Sequence, residues 1–447
     1  MFKINLIEKK IEKRREEKIV WSNGKFYKGD EFINKINFFR KKLNKKKVLS
    51  GDIIAFEDEF SFDSISFFLA AILENLIVIP LPKKQRKLLE ISSCNYFMNI
   101  KTGRINKYIN NKKIIKILTN FQRKKIAGLI VFSSGSSGKP KAILHDFSLL
   151  LNKFKSDRTG FKTMLMLTFD HLGGINTLLG SLLNPNGVAI CLKSRNPINV
   201  CQIIEKTGAE LLPTTPTFLN ILLFSKTKKK FDLSSLKLIT YGAEFMPSQL
   251  IKKVKKQFSK VKFKQTYGLS EIGVMRTKSK DKNSLAIKVG GEDYKIKIIN
   301  NILHIKSRSN MVGYLNAPQP FDKNGWINTE DRVLDEGNGY LRILGRESEI
   351  INVGGEKVYP QEIENILLKC KGVNDSRVYK ERHEMLGEYI VAEVIFNDKF
   401  SKNLKNSLYL RKFCEKELPK YKVPSKFKLK NMRDIVNNRY KKIRNLI

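Results

Sequence analysis

With 447 residues, the chain exceeds the roughly 250–300 residues at which one hydrophobic core stops growing, so two or more domains are expected. Hydrophobic residues at 41% and aromatics at 10% exclude wholesale disorder, because that apolar content offsets the entropy of ordering the chain. The formal charge of +42 has two readings, a phosphate-rich or acidic partner or a genome biased towards Lys, Asn and Ile codons, and the spread of lysine along the whole chain favours the second.

In chain order, Met1-Phe2-Lys3-Ile4-Asn5 leads into the charged run Glu8 to Lys18 without an apolar stretch or cleavage site. No secretory signal is expected, and a cytoplasmic location is. Gly51-Asp52-Ile53-Ile54-Ala55-Phe56 reads as a turn entering a strand, Ser64 to Leu73 as a helix and Leu76 to Pro80 as a buried strand. The apolar stretch Ile65 to Leu81 is broken by Glu74-Asn75 and ends in Pro80 and Pro82, so no transmembrane segment is expected. Strand patterns recur at Leu129 to Phe132, Val188 to Cys191, Leu236 to Thr240 and before Gln265, with helical patterns such as Pro197 to Lys206 between the later ones. This alternation predicts a mostly parallel, covered sheet whose ligands sit beyond the carboxyl ends of the strands. After about Asp331 the texture shifts to shorter elements: Tyr340 to Gly345, Glu349 to Val353, then a helix from Pro360 to Lys369. The five cysteines, Cys94, Cys191, Cys201, Cys370 and Cys414, form no CxxC pair and are expected to be free thiols in a reducing compartment.

Directly after Leu129 to Phe132 comes Ser133-Ser134-Gly135-Ser136-Ser137-Gly138-Lys139-Pro140-Lys141. Small residues let backbone N–H groups and hydroxyls approach phosphate oxygens, and the lysines add charge, so the segment reads as a phosphate cradle rather than a Ser/Gly linker. It is too short for a Walker loop, and Pro140 replaces the magnesium-binding hydroxyl residue. The loop resembles the phosphate-loop signature of the acyl-adenylate-forming superfamily, which includes acyl-CoA synthetases, amino-acid adenylation domains and luciferases.

Further signatures of that family follow in order. Thr266-Tyr267-Gly268-Leu269-Ser270-Glu271 resembles TYGxTE, in which the tyrosine packs against adenine and the glutamate holds Mg2+; Ser270 keeps the hydroxyl of the usual Thr. Tyr241-Gly242-Ala243-Glu244, after the strand Leu236 to Thr240, resembles the adenine-side loop. Gly325-Trp326-Ile327-Asn328-Thr329-Glu330-Asp331 resembles GWxxTGD, whose aspartate accepts hydrogen bonds from both ribose hydroxyls, a task suited to an acceptor-only carboxylate. Glu330 stands where glycine is usual, so a different local turn is expected. Gly339 to Arg346 resembles the approach to the family's hinge, with Arg346 contacting nucleotide and Ser348 at the hinge position. Ile351 to Glu364 matches the loop that follows, where Gly354 and Gly355 would line a thiol channel. The last signature is a Gly-Lys pair whose lysine bridges carboxylate and α-phosphate. Here the tail reads Asn437-Asn438-Arg439-Tyr440-Lys441-Lys442-Ile443-Arg444: alignment on Lys-Ile assigns the role to Lys442, alignment on Arg444 assigns it to Lys441, and a basic tail without a catalytic task is the plainer alternative.

The resemblance implies an α/β fold: a large N-terminal domain of mostly parallel sheets covered by helices, residues 1–346, and a small mobile α+β C-terminal domain, residues 347–447. It implies ATP-dependent activation of a small carboxylic acid as its acyl-adenylate, then transfer to a thiol, with ATP, Mg2+ and coenzyme A or phosphopantetheine as cofactors. Catalytic roles fall on Lys442, Glu271 and Ser270. The acid pocket is read at Thr168-Phe169-Asp170-His171-Leu172-Gly173-Gly174. His171 and Gly174 fit an acyl-CoA synthetase, whereas Asp170 would pair with the ammonium of an amino acid, and either polar residue could instead cap the following helix. The acceptor is left open between coenzyme A and an acidic acyl carrier protein. No nucleic-acid-binding motif accompanies the positive charge, so no specific nucleic acid is expected as a partner.

Overall fold

The structure, a computed structural model, describes residues 4–108, 115–134, 139–225, 227, 230–281, 284–291, 293–383, 387–397, 405–431 and 442. Two seven-stranded sheets form the main body. In the first, Lys262–Gln265, Leu238–Tyr241, Leu211–Thr214, Lys162–Met164, Val188–Ile190 and Lys18–Ser22 run parallel, and Lys25–Lys28 closes one edge antiparallel. In the second, Ile77–Leu81, Ile53–Glu57 and Tyr96–Asn99 are parallel, and Gly128–Ser134 joins them beside the antiparallel Pro140–Asp146. Parallel strands need covered faces, and the apolar helices Phe62–Leu73 and Leu172–Leu183 supply cover, sharing one core with residues of both sheets. The Phe62–Leu73 helix starts two residues before the expected Ser64, because the Ser61 side chain caps it on Ser64 N–H. Pro197–Thr207 opens with Asn196 as cap and Pro197 in its first turn, and stops at Gly208, whose φ of 61° ends the helix.

The change in texture comes earlier than the sequence suggests. From Tyr267 onward, seven strands build a third, antiparallel sheet in the order Tyr267–Leu269, Gly273–Ser279, Ile287–Gly290, Leu341–Arg346, Ile327–Asp335, Ile302–Ser307, Tyr294–Ile299. Its core, from Tyr267 to Leu341, is separate from those of the parallel sheets.

Beyond Arg346, the expected strand from Glu349 is instead a 3-10 turn, Glu347–Glu349, followed by the hairpin Ile351–Val353 and Glu356–Val358. The turn is held by Ile350 N–H on Glu347 O and by Gln361 Nε2 donating to Glu349 Oε2 at 2.6 Å. The expected helix from Pro360 spans Pro360–Leu367 and packs on Val373–His383, which pairs with Gly387–Phe396 and through it with Lys426–Leu429. Residues from Ile351 to Cys414 form their own buried cluster. Among the described residues no helix is long and apolar enough to cross a membrane. All five cysteines are free and buried.

Candidate active site

The phosphate-loop segment closes an antiparallel hairpin: Ser133 pairs with Lys141 and Ser134 with Pro140. Gly135, Ser136, Ser137 and Gly138 lie outside the described residues, and Lys139 is exposed beside them. Lys141 Nζ stands 5.0 Å from the centre of the Tyr314 ring, and the Tyr314 hydroxyl donates to Glu271 Oε1 at 2.7 Å. Tyr314 thereby joins the phosphate hairpin to the glutamate of the TYG segment. Burial, followed by the Glu271 charge, pushes its phenol well above the ordinary value, so it remains a donor. Backbone contacts fix the Ser270–Glu271 turn, with Met311 N–H donating to Glu271 O at 2.7 Å and His145 Nε2 lying 2.8 Å from Ser270 O.

Among the residues expected to bind nucleotide, the buried Tyr267 donates its hydroxyl to Asp331 Oδ2, and Arg346 Nε lies 3.4 Å from Asp331 Oδ1. Burial raises the Asp331 carboxyl above its usual range although Arg346 and the Tyr267 hydroxyl oppose it. Burial lowers Arg346, but the charges of Asp331 and Glu349 outweigh it and the net shift is upward. Glu330 keeps the left-handed conformation that glycine would supply, with φ at 60°. Its N–H donates to Asn328 Oδ1 at 2.8 Å, which supports a conformation costing a non-glycine residue about 1–2 kcal/mol. The adjoining bulge between Ile302–Ser307 and Ile327–Asp335 holds Asp331 inward. Gly242 must be glycine, since a Cβ there would lie 2.6 Å from Thr266 O. Glu244 turns away from this group: its carboxylate accepts from Thr217 N–H and Thr217 Oγ1 at the start of the Pro216–Phe224 helix.

A cavity of about 270 Å³ joins these elements to the acid-pocket segment. His171, Gly173, Asn176, Thr177 and Gly180 line one wall, and Gly242, Ala243, Thr266, Tyr267 and Gly268 line another. His171 also caps the Leu172–Leu183 helix, its Nδ1 accepting from Gly173 N–H at 3.1 Å. The segment is anchored by Phe169, buried among Phe56, Phe60 and Phe68 with ring centroids 5.1, 4.3 and 5.1 Å away. Asp170 is buried and does not line the cavity. Gly174 serves close packing, since its Cβ would fall 2.1 Å from Thr168 O.

Lys442 lies outside this cavity. Its Nζ is 2.8 Å from Asp375 Oδ1 and 3.6 Å from Glu364 Oε2, and donates to Ser376 O at 2.6 Å. Its N–H donates to Glu244 Oε1 at 2.7 Å, one residue from the cavity wall at Ala243. Lys441 falls outside the described residues. Gly354 and Gly355, at φ 58° and 93°, turn the Ile351–Val358 hairpin, and an added Cβ on either would meet nothing within 4 Å. The structure therefore gathers the phosphate hairpin, TYG segment, Asp331, Arg346 and His171, and leaves Lys442 and the glycine pair apart from them.

The sequence profile of AMP-binding enzymes matches residues 111–307, and that of the AMP-binding enzyme C-terminal domain matches residues 362–437. The chain belongs to the AMP-binding enzyme family. Its relatives among curated AMP-binding enzymes include an uncharacterised acyl-CoA ligase of Bacillus subtilis, 27% identical over 66% of this chain and 63% of its own length. The indoleacetate-CoA ligase of Aromatoleum aromaticum is 29% identical over 60% of this chain and 57% of its own length. These matched stretches span less than two thirds of either relative. Among solved structures, an anthranilate CoA ligase in complex with anthranoyl-AMP superposes with a TM-score of 0.81 at 16% identity, covering 96% of this chain and 93% of that one. The o-succinylbenzoate CoA synthetase of Bacillus subtilis gives 0.77 at 18% identity, covering 99% and 98%. The fold of this chain is thus that of these CoA ligases across both its larger and its smaller part.

Two polar side chains of this AMP-binding enzyme's site escape motif reading. Tyr314 stands in Met311-Val312-Gly313-Tyr314, where only a Gly-Tyr pair among apolar residues hints at a role. His145 sits inside an apolar strand and is fully buried. Ser270 O can only accept, so His145 carries its proton on Nε2, and its Nδ1 is buried without a partner. Burial pulls the imidazole from 6.5 to about 4, with the bond to Ser270 opposing. A depressed histidine contributes stability that is complete above about pH 6.5 and is lost as pH falls towards 4, because only the unfolded chain takes up the proton in that window. The gap corresponds to about 3 kcal/mol. Urea unfolding between pH 4 and 7 should show this loss, and His145→Gln, which can still donate to Ser270, should flatten it. Equal acid slopes in the two proteins would remove His145 from the account.

Proposed function

We propose that this chain activates a small carboxylic acid with ATP and passes the acyl group to the thiol of coenzyme A. In the first half-reaction a carboxylate oxygen attacks the α-phosphorus, the bond to pyrophosphate breaks and an acyl-adenylate forms. In the second, the thiolate attacks the acyl carbon and AMP leaves with the C–O bonding electrons. The observation that carries this reading is the cavity whose walls bring His171 and Gly173 together with Gly242, Ala243 and Thr266 to Gly268, so that one space serves acid and nucleotide. The names of relatives, indoleacetate-CoA ligase and 4-coumarate-CoA ligase among them, point the same way.

In this proposal Tyr267 packs against adenine, Asp331 takes the ribose hydroxyls, Arg346 and the hairpin around Lys139 and Lys141 receive phosphates, and His171 faces the acid. Among the described residues no three His, Cys, Asp or Glu side chains form a metal cluster, but magnesium does not require one: it binds through one or two carboxylates plus substrate phosphates. Glu271, held by Tyr314 and linked through it to the phosphate hairpin, fits that requirement. Magnesium would neutralise phosphate charge there. The boundary after Arg346 is part of the proposal, supported by the Glu347–Glu349 turn and the separate core that follows. So is a cytoplasmic location, where a reducing environment keeps the five buried thiols free.

The decisive measurement is ATP–pyrophosphate exchange with a panel of acids, followed by thioester assays with coenzyme A and with phosphopantetheinylated carrier protein. Exchange that needs an added acid, and thioester on coenzyme A, are expected. Acid-independent exchange, or none with any acid, would overturn the proposal, and thioester on carrier protein alone would move the acceptor to phosphopantetheine.

A further inference from the structure

The cavity extends well beyond the nucleotide motifs. Along the Leu172–Leu183 helix its wall continues from Gly173 through Gly180 and Ser181 to Asn184, about 16 Å at 1.5 Å per residue. Along the first sheet it descends from Thr214 and Thr240 to Leu211, Thr163 and Phe161. Four basic residues stand around this part of the cavity without lining it. Lys264 is in register with Thr240, which is in register with Pro213, so Lys264 shares the sheet face that lines the cavity. Arg276 lies two residues beyond Val274 on the Gly273–Ser279 strand, on the same face as that lining residue. Lys153 donates to Val274 O at 2.8 Å and lines a small adjoining cavity that shares Phe154, Asn176 and Val274 with the main one. Arg158 precedes the lining residue Thr159, and its N–H donates to Asn184 Oδ1 at 3.1 Å.

These cations act on one another. Burial, then Arg276 and Arg158, pull Lys153 down to about 7; burial and the same two arginines lower Lys264. No carboxylate is among the groups shifting either lysine, although Asp293 lines the small cavity beside Lys153. Four like charges beside a cavity repel one another, and an anion placed among them would relieve that repulsion. Arg158, Lys264 and Arg276 are themselves exposed, so these cations flank the cavity rather than line it.

We propose that Lys153, Arg158, Lys264 and Arg276 select an acid substrate carrying a second anionic group, such as a distal carboxylate, at the end remote from the carboxylate that is activated. This rests on the adenylation reading above. The cavity wall from Gly173 to Asn184, about 16 Å long, leaves room for an extended chain between the two anionic ends.

The test is calorimetric titration of the full chain with octanedioate and with octanoate, alongside acid-dependent pyrophosphate exchange. Octanedioate should bind at least about tenfold more tightly, and the preference should shrink as ionic strength rises. In Lys264→Gln/Arg276→Gln the ratio should fall to near one, and Lys264→Arg should retain it. Equal binding of the two acids, a ratio unchanged in the double variant, or a double variant that weakens only coenzyme A would each overturn the proposal. Selective octanedioate binding without acid-dependent exchange would instead leave the anion site standing and bring down the adenylation reading.

Discussion

Glu271→Gln should lower acid-dependent ATP–pyrophosphate exchange by at least about 100-fold while leaving the melting profile unchanged, a loss typical of removing one charge-stabilising group from an active site. Glutamine fills the same space, and its side-chain oxygen can still accept the Tyr314 hydroxyl that now lies 2.7 Å from Glu271 Oε1. What it lacks is the negative charge beside Tyr314 and Lys141, the charge a magnesium–phosphate complex needs. The comparison isolates electrostatics from packing. Wild-type exchange in a folded Glu271→Gln protein would remove this residue from the metal site.

Lys442→Ala should abolish acyl-adenylate formation, by at least about 100-fold, yet convert a chemically supplied acyl-adenylate to thioester at near-normal rate. A lysine that bridges carboxylate and α-phosphate would stabilise only the first transition state, and to reach them the Lys442 side chain must leave Asp375, Glu364 and Ser376 O, which belong to its own unit. The same substitution leaves two buried carboxylates without their cation, so stability should fall as well, by about 3–5 kcal/mol. Intact thioester formation serves as the check that the variant is folded. Lys441→Ala should be mild in both half-reactions; a crippled Lys441→Ala beside a mild Lys442→Ala shifts the role by one residue, and two mild variants make the tail non-catalytic.

The parts of the site that the sequence made legible are short and local. The loop from Ser133 to Lys141 and the TYG segment are each a few consecutive residues, and the family they resemble is the one whose profiles match the chain, whereas the glycine pair, equally legible, stands apart from them in the structure. The parallel strands were legible for a similar reason, since burial on both faces leaves continuous apolar runs such as Ile53 to Phe56. The third sheet was not: strands such as Tyr294–Ile299 are only half buried, and lysines interrupt their apolar residues. The cavity could not be read either, because its walls come from four distant segments. Nor could the partners of Lys442, since Glu364 and Asp375 look like ordinary helix and strand carboxylates until folding buries them beside it. At Glu330 the sequence signalled an altered turn, but a hydrogen bond from its own N–H to Asn328 preserves the backbone that glycine would have adopted.

The separate core of Ile351 to Cys414 bears on how the molecule melts. Among the described residues, polar bonds such as Asn220 Nδ2 on Asn374 O at 3.1 Å and Ser248 N–H on Asn365 Oδ1 at 3.2 Å join it to the remainder, and Leu368 lines a small cavity with Pro216, Phe245 and Leu250. Two cooperative units need not unfold together, so two thermal transitions are expected of this chain rather than one. Calorimetric and van't Hoff enthalpies should disagree, and ligands that bridge the units should draw the two transitions together.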